Sequence, residues 1–287
     1  MPPLYKTIRN KVVSGCLYLP SLECCAQLQH IHYRFAGLRT PETRHNPSAF
    51  CIGNFKSGTM SVANLLGHQP RDKHEPHAYL FSKMWLKKES GQLSQQEWTE
   101  FLIRRSNALS LDYESSGFLT TEAGLLADLF PESKFILTIR EPIPWMRSIL
   151  NHILKNRREL GYHYWEPVLQ KYFGSASFPK EETPLKALSL YPIDGMLSYW
   201  RRSNQSVIDL IPAEQLLITS TSQLSESIVQ IENFLGLPAE SLDRKKSHHH
   251  KSAKNDDHLS LIPRDYLQKK ICKLRLEAPD LSEFIIN

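Results

Sequence analysis

The sequence predicts an α/β fold: a three-layer sandwich on a central, mostly parallel sheet, with a P-loop-like strand–loop–helix in its first quarter. Three observations point there. Ala49–Ile52, Lys134–Ile139 and Leu216–Thr219 are short, nearly unbroken apolar runs, the pattern of strands covered by helices on both faces. Stretches with apolar residues at helical spacing separate them, the alternation a parallel sheet needs. A glycine-bounded turn, Gly53–Gly58, joins the first run to a helix of small and apolar residues.

Residues 1–46 read as an extension with helical patches, whose Tyr33, Phe35 and Leu38 are placed to pack on the main body. Residues 47–287 are expected to form one domain. Val12–Leu28 is apolar, but Pro20 and Glu23 interrupt it and it is short for a membrane span. No cleavage site follows it. The reading is a surface helix and turn in a cytoplasmic protein, with a Golgi-type anchor as the weaker alternative.

After the strand at Ala49, Thr59–Leu66 has helix character, and Gly67–His77 reads as a polar loop. Gln95–Asp112 is helical by the spacing of Trp98, Phe101, Leu102, Leu109 and Leu111. Gly117–Thr121 reads as a short strand, and Ala123–Phe130 as a helix stopped by Pro131. Arg140 ends the strand at Lys134–Ile139, and Pro142 suits the first turn of a helix running past Lys155. Tyr164–Tyr172 is a further helix, and Phe173–Leu188, with Pro179 and Pro184, a surface loop. Ile193–Ile211 is a long helix, Leu216–Thr219 a strand, and Leu224–Leu235 a helix stopped by Gly236 and Pro238. Ser241–Asp257 is polar and rich in Lys and His, and Leu259–Leu276 returns to helix.

Composition excludes several classes. With 41% hydrophobic and 23% charged residues, the 287-residue chain is globular, not disordered. Its net charge of +5 suits anionic ligands but is too small and dispersed for nucleic acid. Five scattered cysteines show no zinc spacing and no disulfide framework, which favours a reducing compartment and no metal.

The turn after the first strand has the makings of an anion cradle. Successive N–H groups and a helix N-terminus point inward, from Ser57 through Met60. Gly53 and Gly58 permit close backbone approach. Lys56 adds a mobile charge, and Ser57 and Thr59 add hydroxyls. An ordinary nucleotide P-loop places Lys directly after its second Gly. Here Thr59 and Met60 follow Gly58, so a phosphate-like group would be gripped differently, without metal. A second anion-binding pattern sits at Arg140 and Ser148, eight residues apart. An arginine fork pairs bidentately with phosphate.

The order Lys56-Ser57-Gly58-Thr59 after a strand resembles the 5′-phosphosulfate loop of sulfotransferases, which use 3′-phosphoadenosine 5′-phosphosulfate (PAPS) as donor. Ile139-Arg140-Glu141-Pro142 to Arg147-Ser148 is similar to their 3′-phosphate site, with Glu141 where Asp or Asn is usual. Leu216–Thr219, Gln223-Leu224 and Phe234–Pro238 look like their late strand, loop and helix, with Thr221 replacing a usual Glu. The resemblance spans about Ala49 to Ala239. It implies donor contacts from Lys56, Ser57, Gly58, Thr59, Met60, Arg140 and Ser148. A late basic loop implies Lys251, with Lys254, over the 3′-phosphate.

Lys73-His74-Glu75-Pro76-His77 resembles the Lys-Glu-Pro-His stretch of heparan sulfate sulfotransferases, whose Glu is the base. The match implies Glu75 as base and His77 as its neighbour at the acceptor, with His74 standing where that family has Lys. Lys56 would steady the leaving phosphate. His152 is the second candidate base. Thr121, Glu122 and an aromatic wall of Tyr162, His163, Tyr164 and Trp165 are further acceptor candidates, and His248–His250 a charged run. The expected activity is metal-free sulfuryl transfer from PAPS to a hydroxyl of a carbohydrate or a small-molecule or lipid acceptor. The alternatives are a P-loop nucleotide kinase or other phosphotransferase, and a non-catalytic nucleotide-binding relative.

Overall fold

The computed structural model describes residues 27–31, 33, 45–67, 72–157, 164–174, 176–243 and 257–285, with residues 72 and 73 by backbone alone. Lys251, Lys254, His248–His250, Tyr162, His163, Phe35 and Leu38 lie outside the described residues.

Five parallel strands form the sheet: β1 (Ala49–Ile52), β2 (Asp72–His74), β3 (Tyr113–Ser115), β4 (Lys134–Ile139) and β5 (Leu216–Ser220). Their order is β2-β3-β1-β4-β5. The helices are α1 (Thr59–Leu66), α2 (Ala78–Glu89), α3 (Gln95–Leu109), α4 (Ala123–Leu129), α5 (Pro142–Asn156), α6 (Glu166–Phe173), α7 (Thr183–Ala187), α8 (Ile193–Leu210), α9 (Ile228–Leu235) and α10 (Arg264–Glu277).

Strand alternation builds the two outer layers. Phe50, Ile52, Phe135, Leu137 and Ile139 point into one core, with Trp145 and Met146 of α5 and Trp200 of α8. Cys51, Ile136 and Leu217 point the other way, onto Val62, Leu65 and Leu66 of α1 and Ile228 and Ile231 of α9. Both sheet faces are thus covered, which is why these strands lack polar alternation. From β1 the chain runs to the edge strand β2, returns to β3, then crosses to β4 and β5. The order reverses between β1 and β4, where open α/β sheets take ligands beyond the strand ends.

Three expectations are corrected, and one helix had none. Gly117–Glu122 is a 3₁₀ helix, not a strand; the strand lies just before it, at Tyr113–Ser115. Its polarity disguises it, since Glu114 and Ser115 are buried through side-chain pairing. The loop at Gly67–His77 contains edge strand β2. Helix α2 is unexpected; it buries Leu80, Phe81 and Trp85 between polar neighbours. The loop at Phe173–Leu188 contains α7, because Pro184 in a first turn starts a helix. Buried Glu182 ties that segment down, accepting from Ile193 N–H (2.9 Å) and Tyr266 OH (2.5 Å). As expected, Tyr33 packs on the body, 5.4 Å between its ring and that of Phe101.

Candidate active site

The cradle is a turn held from all sides. Gly53 has φ 155°, and a Cβ there would lie 2.4 Å from the Thr138 carbonyl and 2.5 Å from Ser57 Oγ, so only glycine fits. The Gly53 N–H donates to Thr120 Oγ1 (2.9 Å), and that hydroxyl donates to the Gly53 carbonyl (2.8 Å). Lys56 adopts φ 70° and Gly58 φ 110°. Trp145 Nε1 donates to the Phe55 carbonyl (2.8 Å), and Phe55 is itself buried. Asn54 Oδ1 accepts from Ser203 Oγ of α8 (2.6 Å).

Both predicted hydroxyls face inward. Ser57 Oγ lies 3.2 Å from Thr138 Oγ1, and Thr59 Oγ1 lies 3.3 Å from His74 Nε2. What the cradle offers outward is Lys56, exposed, and the N–H groups at the start of α1, which have no intrahelical acceptor. Met60 is 41% exposed at the same helix start.

Arg140, at the end of β4, reaches the same turn: its Nη1 donates to the Lys56 carbonyl (3.3 Å), and Trp200 Nε1 donates to the Arg140 carbonyl (2.8 Å). Among the described residues neither Lys56 nor Arg140 has an ion-pair partner. Lys56 is exposed as a whole residue, but the protein around its amine strips part of its water; that desolvation, then Arg140 and Lys155, pushes the amine below its usual range. Burial and Arg147 do the same to Arg140, against an opposing pull from Glu141. Cations converging without counter-charge make a site for an anion. Ser148 is half-buried in the second turn of α5. Beside it, Arg147 forks onto Asp257 (3.0 and 2.9 Å), fixing the point where the chain returns after residue 256.

Glu75 lies in the turn between β2 and α2, against the start of the 3₁₀ helix at Gly117. Its carboxylate accepts from Gly117 N–H (2.9 Å) and Ser116 Oγ (2.8 Å). Gly117 packs so closely on the Phe55 ring that a Cβ would sit 2.6 Å from it. His74 links the two regions, its Nε2 near Thr59 and 3.9 Å from Glu75 Oε1. Burial pushes the Glu75 carboxyl up to about 7, against the hydrogen bonds from Gly117 and Ser116; Glu114 adds to the rise and Arg105 opposes it. A carboxyl poised there suits proton abstraction near neutral pH. His152 is pushed down to about 4 by burial, then by Lys56 and Lys155. It is therefore neutral at pH 7 and a weak base.

The sequence sets His77 beside the acceptor; the structure buries it completely, with φ 55° and its carbonyl accepting from Phe81 N–H (2.8 Å). Glu122 is also buried, held by Lys88 Nζ and Trp98 Nε1 at 2.7 Å each, which is a structural placement. Thr121 lies beside Tyr172. Of the expected aromatic wall, Tyr164 lies tilted against Tyr79 (4.0 Å between rings), and Trp165 packs on Phe55 (4.4 Å) and His152 (5.2 Å). Tyr164 is near enough to Glu75 for that charge to raise its phenol further, after burial and Tyr79.

Two groups of neighbours carry roles that the sequence reading did not assign. Thr221 donates to the carbonyls of Ser57 and, at 3.1 Å, Ile139; its methyl would meet a Cβ on Gly58 at 3.2 Å. It thereby staples the cradle to the ends of β4 and β5. Arg105 and Glu114 form a buried pair beneath the Glu75 turn, with Arg105 Nη2 donating also to the Pro76 carbonyl.

Residues 48–242 match the family model described as the sulfotransferase domain. A solved sulfotransferase from Mycobacterium avium superposes with a TM-score of 0.51 at 11% identity, covering 87% of this chain and 82% of its own. At that identity the likeness speaks to fold alone. A sulfotransferase from Alicyclobacillus acidocaldarius aligns at 15% identity with a TM-score of 0.47, over 83% of this chain and 98% of its own. No curated protein sequence matched.

Proposed function

The chain belongs to the sulfotransferase domain family, and from that premise we propose that it transfers a sulfuryl group from PAPS to an acceptor hydroxyl in one in-line displacement. One observation supports this most: beyond the ends of adjacent strands β1 and β4, Arg140 Nη1 donates to the Lys56 backbone carbonyl (3.3 Å), which sets the guanidinium on the N–H-rich turn that carries Lys56, and among the described residues neither cation has an ion-pair partner. Two anion-binding groups side by side suit a donor with a phosphate at each end.

The donor, when bound, supplies the sulfuryl group and leaves as 3′-phosphoadenosine 5′-phosphate. In this proposal the turn from Lys56 to Met60 holds its 5′ side, with Lys56 and the N–H groups of Gly58 and Thr59 facing the oxyanions. Ser57 and Thr59 act by shaping the turn. Arg140 and Ser148 hold the 3′-phosphate, with Lys251 covering it from outside the described residues. Glu75 takes the acceptor proton as the acceptor oxygen bonds to sulfur. The breaking S–O bond leaves its electron pair on the phosphate oxygen, where Lys56 offsets the growing charge. No step uses a metal. His77, being buried, keeps the Glu75 turn in shape and does not touch the acceptor.

Tyr79, Tyr164 and Trp165 form an aromatic cluster with rings tilted and edge-on to one another, and Tyr164 lies near Glu75, which supports an acceptor with an apolar face such as a sugar ring, small molecule or lipid. Residues 47–287 are taken as one domain, with residues 1–46 an extension. The contact from Gln29, whose Oε1 accepts from Leu80 N–H (3.0 Å), supports that.

Turnover with PAPS and a panel of hydroxyl acceptors tests the reading. Lys56→Ala should cut kcat by about 10²–10³-fold, the usual loss of one transition-state charge stabiliser, with an unchanged melting temperature because Lys56 is exposed. Turnover of ATP with Mg²⁺ in place of PAPS, or full rate in Lys56→Ala, would sink it.

A further inference from the structure

We propose that Arg105 is a positioning residue: its guanidinium, anchored on Glu114, grips the Pro76 carbonyl and so holds Glu75 in its seat near the cradle, with His74 between them. This rests on the reading of Glu75 as the base. Glu75 (φ 48°) and His77 (φ 55°) are both left-handed and neither is glycine. Such residues persist only where their surroundings over-determine them, and they gather at functional sites. Pro76 between them has no N–H to pair, so its carbonyl is the backbone group through which the turn can be gripped from outside.

The hold comes from α3 and β3. Arg105 Nη1 and Nη2 donate to the two Glu114 oxygens (3.0 and 2.6 Å), and Nη2 donates also to the Pro76 carbonyl (2.6 Å). On the other flank, Glu75 N–H donates to the Ser115 carbonyl (2.8 Å), and the Glu75 carboxylate takes Ser116 Oγ and Gly117 N–H. Every one of these partners follows from the end of β3, so Glu75 is seated between one strand end and one arginine. Arg105 is 3% exposed and Glu114 2%. A buried ion pair contributes little stability over apolar side chains of the same volume. Its use here is geometric: a planar fork pairs both carboxylate oxygens through two nitrogens and fixes the third bond, to the Pro76 carbonyl, in direction, which the single nitrogen of a lysine does not reproduce.

Facing Glu75 are His74 from β2, Arg105 from α3, Glu114 from β3, Tyr164 before α6, and more distantly Tyr172 and Tyr199. Arg105 and Glu114 act on its proton in opposite senses. The pair can therefore fix the carboxylate while burial sets its proton affinity.

The test compares R105M/E114L, R105K, E75Q and the triple variant R105M/E114L/E75Q in full-length protein. Melting, calorimetric affinity for 3′-phosphoadenosine 5′-phosphate and the pH dependence of kcat are measured. The apolar pair should fold with wild-type affinity for the nucleotide and a kcat lower by about tenfold or more, since a base displaced from reach loses its proton-transfer advantage. Its acid limb should move from about 7 toward the ordinary carboxylate range as Glu75 leaves its buried seat. Adding E75Q to it should cost far less than in the wild type. R105K keeps the charge without the fork, and should be slow even if the apolar pair fails to fold. Wild-type kcat and an unmoved limb in folded R105M/E114L or R105K, with E75Q slow, overturn the positioning role alone. Full rate in E75Q overturns the base reading, and the positioning role with it.

Discussion

Glu75→Gln separates stability from chemistry at one residue. Burial raises the Glu75 carboxyl from its ordinary 4.5 to about 7. At about 1.4 kcal/mol for each factor of ten, the ionised form carries a penalty of about 3 kcal/mol in the folded protein. The side chain is 16% exposed, so solvent screening removes little of it. The sign follows from proton counting. Below about 4.5 Glu75 is protonated in both folded and unfolded chains. Between 4.5 and about 7 the folded protein keeps a proton that the unfolded chain releases, so stability falls as pH rises. Above about 7 the whole penalty stands. Gln has nearly the same shape, can offer its oxygen to Gly117 N–H and its amide to Ser116 Oγ, and does not ionise. Urea unfolding at pH 8 should therefore find Glu75→Gln more stable by up to about 3 kcal/mol, with the difference falling to about 1 kcal/mol or less at pH 5 and vanishing below about pH 4. The same variant should lose about 10²–10⁴-fold in kcat, the usual worth of a general base. Parallel stability curves for the two proteins from pH 5 to 8 would refute the buried-carboxyl argument.

Other perturbations probe the cradle. Arg140→Ala should weaken 3′-phosphoadenosine 5′-phosphate by about 10–100-fold, the worth of one charge-assisted contact; an unchanged calorimetric Kd would remove Arg140 from the 3′-phosphate site. Gly53→Ala puts a methyl 2.4 Å from the Thr138 carbonyl, so nucleotide binding should be lost and the melting temperature lowered; a variant with normal affinity would show that the turn is not rigidly required. Removing the Thr221 hydroxyl in Thr221→Val takes away its bonds to the Ser57 and Ile139 carbonyls, at about 1 kcal/mol. Nucleotide affinity should fall several-fold, and a titration showing no change would reduce Thr221 to a packing residue.

Much of the fold was readable because burial on both faces leaves a plain signature. β1, β4 and β5 announce themselves as apolar runs between helical segments. β3 does not, because Glu114 and Ser115 are polar residues whose burial depends on partners elsewhere, Arg105 and the Thr59 carbonyl. The cradle was legible for a related reason: Gly53, Lys56 and Gly58 act through their own backbone, so a short stretch encodes the whole device. Arg140 was legible as the cation ending a buried strand. The surroundings of Glu75 were not. Its carboxylate partners lie 41 and 42 residues away, and Arg105 reaches Pro76 across 29. Thr221 meets Ser57 across 164 residues. Such pairings belong to the packed fold, and no local spacing records them. His77 shows the converse: a motif fixed its neighbourhood, but only packing reveals that it is wholly buried.

The most direct measurement is a crystal structure of the protein with 3′-phosphoadenosine 5′-phosphate. The account predicts the 5′-phosphate within hydrogen-bond reach of Lys56 Nζ and the N–H groups of Gly58 and Thr59, and the 3′-phosphate against Arg140 and Ser148. A nucleotide seated with its 5′-phosphate away from Lys56, or with its 3′-phosphate out of reach of Arg140, would contradict it.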